Sequence, residues 1–246
     1  FGSIELEIFS SRDLVFPFPA FVINFFNEKS STVVHSVGRI YNDFEDLQEN
    51  SSARVKEGGF DIINDDRINP FFAFVNGPMK NQNPIVSIDL ISEDGNIITH
   101  PIKIGKIKQY ETKFIFLKDH IKLEKHLKSR VATVKIEHNF NGFFPRFLSG
   151  NLNEINLSPS ITHTFYDNST NDSKESYWDN DNKDKFYDSS VFIPLFLEND
   201  LYTSLKLYPL YSPSNHKISL HIFDINGSIM GKKDNLKTIK KTSNKK

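Results

Sequence analysis

The sequence of 246 residues contains no cysteine, two methionines, one tryptophan and only four alanines. The lack of cysteine excludes disulfide scaffolds, cysteine-ligated metals and cysteine nucleophiles. No apolar run approaches the roughly 18 residues that a membrane-spanning helix needs, so we expect no transmembrane segment. The few alanines, together with 23 phenylalanines and many β-branched residues, disfavour a helical bundle. An all-β protein is therefore the expected class.

An excess of charge of either sign is also absent, because 30 Lys and Arg residues balance 31 Asp and Glu residues. Such a chain has no overall field that attracts nucleic acid, and we expect no nucleic-acid partner. From Lys232 to the end, however, there are seven lysines and a single acid, Asp234. We expect residues 233–246 to form a basic, disordered tail.

The abundant residues are Phe, Ile, Asn and Lys, which share AT-rich codons. We interpret part of this bias as the base composition of an AT-rich bacterial genome. The hydrophobic fraction of 38% still suffices for a packed core. The chain begins at Phe1 and not Met, which is compatible with a leader that has been removed.

An internal repeat is indicated by five sequence blocks that recur in the same order. No block is distinctive alone, so the interpretation as a duplication rests on the order that the blocks share. The alternative is that strands of similar composition resemble each other by chance. The matched blocks are Ser3–Glu7 with Thr133–Glu137, Phe18–Phe21 with Phe144–Phe147, Val33–Ser36 with Ile161–Thr164, Phe71–Phe74 with Phe192–Leu195, and Val86–Ile98 with Ile218–Met230.

Period-two alternation predicts strands within these blocks. Ile4, Leu6 and Ile8 would share one face of a strand, with glutamates on the other. Asp-Gly at 94–95 and Asn-Gly at 226–227 each lie between apolar runs, which is typical of a β-hairpin turn.

These signals predict two tandem antiparallel β-sandwiches, immunoglobulin-like or jelly-roll-like, from an internal duplication. The copies would be residues 1–117 and 131–232. The connector at 118–130 has a candidate helix cap in Asp119, but we expect it to lie outside the core because it has few apolar residues.

Two matched histidines, His35 and His163, are the most informative candidates for a site. Alternation places each on an otherwise apolar strand face. One interpretation is a pocket base or metal ligand in each copy. The other, which we favour, is a buried core histidine whose ring nitrogens are hydrogen-bonded, since a role common to both copies is more often architectural.

Tyr166 and Asp167 follow His163, and Asp167 would share its strand face if the strand continues. His163 and Asp167 would then be two ligands of a metal site. A third ligand would be needed, for which His221 and Asp224 are candidates, although alternation directs His221 to solvent.

Residues 179–184 begin with the Asp-x-Asp spacing of a calcium loop. Lys183 stands where an oxygen ligand is required, and no glycine follows at the sixth position, so the EF-hand pattern fails. We expect no resident cofactor, while a looser calcium or transition-metal site stays open.

The region 167–188 is the largest difference between the copies, with seven acids interleaved with aromatics that include Tyr177 and Trp178. Exposed aromatic rings beside carboxylates and amides suit sugar recognition. The alternative is a polar excursion whose aromatics fold back onto the sandwich. Arg146 aligns with Ala20 and would bind an anionic group or pair with this acidic region.

We therefore expect a non-enzymatic tandem β-sandwich protein whose partner is a glycan or a cell-surface component. The alternatives are an enzyme on a saccharide or other polar substrate, with His163 and Asp167 as acid/base or metal ligands, and a pure interaction or assembly module. No phosphate loop, nucleophile elbow or zinc-protease motif is found. The candidate ligand-binding residues are Arg146, His163, Tyr166, Asp167, Tyr177 and Trp178.

Overall fold

In the computed structural model, the regular secondary structure of the described residues is almost entirely antiparallel strand, which confirms the predicted all-β class. The chain divides into two compact units, Phe1–Asp167 and Asn168–Lys246. Within the described residues, no helix is long and apolar enough to cross a membrane. The structure describes residues 2–4, 11, 20–37, 55–92, 96–128, 130–140, 147–167, 190–196, 203 and 216–239.

The regular elements of the described residues are thirteen strands and two short helical turns. The first unit also contains a 3-10 turn at Leu117–Asp119 and a four-residue helix, α1, at Leu123–His126. The strands are β1 (Ala20–Phe26), β2 (Ser31–Val37), β3 (Val55–Ile63), β4 (Ile68–Val75), β5 (Val86–Ser92), β6 (Ile97–Ile102), β7 (Thr112–Phe116), β8 (Val131–His138), β9 (Leu148–Asn153), β10 (Ser158–His163), β11 (Phe165–Asp167), β12 (His216–Phe223) and β13 (Ile229–Ile239).

Two sheets make up the centre of the first unit. One has the strand order β11-β3-β8-β5-β6 and the other the order β10-β9-β4-β7. Strand β8 shows how the sequence produces this arrangement, because its side chains alternate between buried and half-buried positions. Val134 and Ile136 point inward, and Ile136 lies directly opposite Ile88 of β5.

The buried faces of both sheets contribute to one hydrophobic core. Phe60, Ile88 and Val134 come from the five-stranded sheet, while Phe72 and Phe147 come from the four-stranded sheet or the residue next to it. The rings of Phe72 and Phe147 lie 5.8 Å apart in a tilted arrangement. Burial of these large side chains is the dominant favourable term for this unit.

The segment 118–130 was expected to lie outside the core, and this expectation is wrong. Ile121, Leu123 and Leu127 are all buried and belong to the core cluster. Three apolar side chains suffice here because all three pack into the same core cluster. The segment thus joins β7 to β8 while packing against the sheets.

Strands on both sides of that segment pair directly with one another. Strand β8 lies between β3 and β5, and β9 pairs with β4. Residues 55–116 and 131–167 therefore form sheets together, and the compact unit ends at Asp167. Long-range strand pairing thus decides the extent of this unit.

The second unit contains the hairpin β12–β13. Strand β13 continues through Ile239, so residues 233–239 form a strand where a disordered tail was expected. Pairing with β12 explains the difference, since His216 lies opposite Ile239 and Ile218 opposite Lys237. Residues 240–246 lie outside the described residues.

Candidate functional site

Two hairpins of the first unit, β1–β2 and β9–β10, close with the same turn chemistry. The Asn27 side-chain oxygen accepts hydrogen bonds from the amides of Lys29 (2.8 Å) and Ser30 (2.9 Å). The Asn153 oxygen accepts one from the amide of Ile155 at 2.9 Å. Asparagine is favoured here because its side chain substitutes for a backbone acceptor in a turn.

These two hairpins lie beside each other. The amide of Ile161 in β10 donates to the Thr32 hydroxyl in β2 at 3.4 Å. The Asn27 amide group donates to the Leu157 carbonyl at 3.3 Å. The contacts bring together residues about 130 positions apart in sequence and form a surface that neither hairpin provides alone.

The matched histidines meet at this junction, with ring centroids of His35 and His163 6.3 Å apart. His35 is exposed and His163 half-buried, so the interpretation of both as buried core residues is wrong. The reason is that His35 lies opposite Val22, which is itself exposed on the outer face of β1–β2.

The His163 ring is oriented by the backbone carbonyl group of the next residue, Thr164. Its Nδ1 lies 2.7 Å from the Thr164 carbonyl oxygen. Because a carbonyl only accepts, Nδ1 carries the hydrogen and the neutral ring presents Nε2 as an acceptor. His163 can therefore accept a hydrogen bond from a hydroxyl or bind a cation through Nε2.

Thr164 follows His163 and lies between β10 and β11. Its side chain is buried, and both its amide (2.9 Å) and its hydroxyl (3.3 Å) donate to the Phe147 carbonyl. The chain then crosses to the other sheet, where β11 pairs with β3. The expectation that Asp167 continues the strand face of His163 is therefore wrong. The side chains of Tyr166 and Asp167 lie outside the described residues.

The remaining predicted site residues Arg146, Tyr177 and Trp178 also lie outside the described residues, as does most of the acidic region. In the second unit, the Asp224 carboxylate accepts two backbone hydrogen bonds of the β12–β13 turn, at 2.9 and 2.7 Å. His221 is exposed, 3.8 Å from a carboxylate oxygen of Asp234. Among described residues, no three metal-ligating side chains come together.

A shallow depression lies where the ends of the two hairpins meet, and we call it the hairpin groove. Its volume is about 380 Å³. Phe26 is 76% exposed, and the Asn24 side chain lies exposed on the same face of β1. A large ring beside an amide provides a stacking surface and a hydrogen-bonding group. The lining residues are Asn24, Phe25, Phe26, Asn27, Leu157 and Pro159.

Sequence reasoning missed the groove and one further residue, His138. This histidine is buried, with its ring centroid 4.6 Å from that of Phe140 and 5.3 Å from that of Phe147. Burial lowers the pKa of His138 to about 4, because the charged ring loses its hydration. The alternation of β8 was the available signal, since Val134, Ile136 and His138 share its inward face.

No protein-family model matches the chain, and neither a curated protein nor a solved structure gives a match. The site is therefore interpreted from its own chemistry. It combines the exposed ring of Phe26 with amide groups at the hairpin groove, and the adjacent hairpin β9–β10 carries the Nε2 acceptor of His163.

Proposed function

We propose that the protein is a non-enzymatic binding protein that recognises a glycan, and that the hairpin groove is part of its binding surface. The observation that carries this proposal is the exposed ring of Phe26 beside Asn24 in the groove. Sugar rings present C–H surfaces that stack on aromatic faces, while their hydroxyls bond amide groups. Both kinds of contact are available here on one strand.

The spacing along β1 suits a ligand longer than one sugar. Val22, Asn24 and Phe26 lie on the same face, and the rise per residue puts the ends of this row about 13 Å apart. His35 lies opposite Val22, with His163 beside it. The row therefore runs from a stacking ring to two imidazoles, which offers several contacts to an oligosaccharide.

The other predicted site residues remain candidates to extend this surface. Tyr166 and Asp167 follow His163 directly in sequence and belong to β11, and the aromatic pair Tyr177 and Trp178 follows in the acidic region. Arg146 precedes Phe147 and β9. All five remain candidate ligand contacts. The aromatic rings would stack on the C–H surfaces of sugars, Asp167 would bond hydroxyl groups, and Arg146 would bind an anionic group or pair with the acidic region.

A glycan array probed with the purified chain tests the proposal. We expect binding to at least one class of saccharide, and we expect Phe26→Ala to weaken it at least tenfold in calorimetry. Phe192→Ala is the matched control, because Phe192 is an equally exposed phenylalanine of the second unit, at 83%. Absence of binding to every glycan, or equal affinity of Phe26→Ala and the parent, would contradict the proposal.

The second candidate is an enzyme acting on a saccharide, favoured by the orientation of His163. Its Nε2 is an acceptor held by the Nδ1 contact to Thr164, as a general base requires. Mass spectrometry of the glycan recovered after binding separates the two candidates. If the protein only binds, the recovered glycan is intact. If it is an enzyme, the recovered glycan is cleaved or modified, and His163→Asn does not form this product.

We also propose that the chain arose by duplication, with copies at residues 1–117 and 131–232, each supplying the strands of a β-sandwich. The matched hairpin turns support this. Asn27 and Asn153 cap their turns in the same way. In the other matched pair of hairpins, Ser92 N donates to Asn96 O at 3.0 Å, and Asp224 N to Ser228 O at 2.9 Å.

A further inference from the structure

The hairpin β12–β13 leaves one side of β12 without a neighbouring strand among the described residues. In the part of the chain that the structure describes, β12 pairs with β13 alone, and we call its other side the β12 edge. Leu220 and Ile222 alternate along this strand and are 37% and 38% exposed. An edge strand with exposed apolar side chains is a template for addition of another strand.

The matched hairpin β5–β6 shows which strand such an edge accepts. The corresponding side of β5 is covered by β8, in antiparallel register. Ile88 lies opposite Ile136 and Leu90 opposite Val134, and all four side chains are fully buried. On the other face of the same pair, Asp89 lies opposite Lys135.

The sequence equivalent of β8 is the block that begins at Ser3. Transferring the register of β5 and β8 places Leu6 opposite Leu220 and Ile4 opposite Ile222. The same register places Glu5 opposite His221, which preserves a pairing of opposite charges when the imidazole is protonated. Apolar residues thus meet apolar residues, and polar meet polar.

We propose that residues 3–8 of one copy add as an antiparallel strand to the β12 edge of a second copy, giving a head-to-tail assembly. The inference rests on the duplication proposed above. Ile4 is 95% exposed, so its apolar side chain is uncovered and can be buried against a second copy. Residues 5–8 lie outside the described residues, and their pairing is inferred from their sequence alone.

A second apolar segment supports a larger contact than one strand. Residues 191–196 are exposed in the second unit, although five of the six are apolar and one is proline. The matched block Phe71–Phe74 is buried in β4, where it pairs with β9. The equivalent of β9 is β1, so the same incoming copy offers β1 to residues 191–196.

Disulfide trapping tests the register directly, because the chain has no cysteine of its own. Chains carrying Glu5→Cys and chains carrying His221→Cys are mixed and oxidised. Directly opposite residues in an antiparallel pair have Cβ atoms about 5 Å apart, close to what a disulfide needs. We expect a covalent heterodimer to form at least tenfold faster than with the control Ile225→Cys, whose parent residue is 99% exposed in the turn of the same hairpin.

Three results would overturn the proposal. The first is equal trapping with His221→Cys and Ile225→Cys. The second is a double variant, Glu5→Cys with His221→Cys, that closes within one chain at a rate independent of concentration. The third is sedimentation of the parent chain as a monomer at all concentrations, where we expect self-association that Leu6→Asp removes.

Failure of the duplication is recognised separately. Preferential trapping of Glu5→Cys by Ser219→Cys would overturn the register and the alignment from which it derives. The glycan proposal is tested with Phe26→Ala, and Leu6→Asp is expected to keep the glycan affinity of the parent chain. Loss of glycan binding in Phe26→Ala together with intact trapping would therefore leave the assembly standing.

Discussion

At the scale of single residues, the position of His138 in its strand determines how readily its ring binds a proton. His138 ends the inward face of β8 and packs against the rings of Phe140 and Phe147. His35 and His163, which occupy matched positions in the sequence, are exposed and half-buried, respectively. Burial therefore makes His138 a residue that links proton binding to folding.

Acidification should destabilise the first unit through His138. Its pKa is about 4 in the folded chain and 6.5 in an exposed ring, so the unfolded chain binds the proton first. Stability is then complete above about pH 6.5 and falls as the pH decreases toward 4, by about 3 kcal/mol in all. Urea unfolding between pH 7.5 and pH 4.5 measures this loss, which we expect His138→Leu to reduce strongly.

The exposed His126 provides the control, since His126→Gln should keep the pH dependence of the parent chain. The unfolding experiments stay at or above pH 4.5 because two carboxyl groups have lowered pKa values and titrate below that pH. The backbone amide of Arg67 lowers the pKa of Asp65, and that of Lys108 lowers the pKa of Glu111. An unchanged pH dependence in His138→Leu would contradict the assignment.

At the scale of elements, the hairpin β9–β10 depends on a glycine for its close packing. A Cβ added at Gly150 would overlap the backbone carbonyl oxygen of Ser160 in the neighbouring strand. A backbone atom cannot move aside as the end of a side chain can. The strand pair therefore tolerates glycine at this position and little else.

Gly150→Ala should consequently destabilise the first unit by about 2–3 kcal/mol, through forced separation of β9 and β10. Gly231→Ala in β13 is the matched control, because a Cβ there meets no atom within 4 Å. Denaturant unfolding measures both variants. A cost below about 0.5 kcal/mol for Gly150→Ala, the range of ordinary surface substitutions, would contradict the close packing.

The elements themselves were largely predictable, because alternation and turn residues are local signals. Strand β8, the hairpin β5–β6 and the hairpin β12–β13 follow from them. The partner of each strand did not follow, since pairing of β8 with β3 and β5 joins distant segments. The hairpin groove escaped prediction for a similar reason, because Phe26 and Leu157 come together only through contacts between two hairpins that are distant in sequence.

At the scale of the whole molecule, the boundary of the first unit can be tested by truncation. The core cluster runs from Phe60 to Phe147 and includes residues on both sides of segment 118–130. A fragment that keeps the cluster intact should fold, whereas one that ends before β8 loses the central strand of the five-stranded sheet.

We expect the fragment 1–167 to unfold cooperatively on heating, and the fragment 1–117 to show no cooperative transition. Near-ultraviolet circular dichroism during thermal unfolding measures both. The shorter fragment corresponds to the first copy of the proposed duplication. If residues 1–117 fold cooperatively on their own, the boundary lies where the sequence predicts it, near residue 117.

The central place of β8 also governs the order of events while the chain is being synthesised. Strands β3 and β5 leave the ribosome before β8, and the two cannot be joined until residues 131–138 have emerged. During that interval each presents an unpaired edge at which nascent chains can associate. Folding dominated by such distant pairings is slow, so the yield of the protein in cells should depend on chaperones that shield β3 and β5 until β8 arrives.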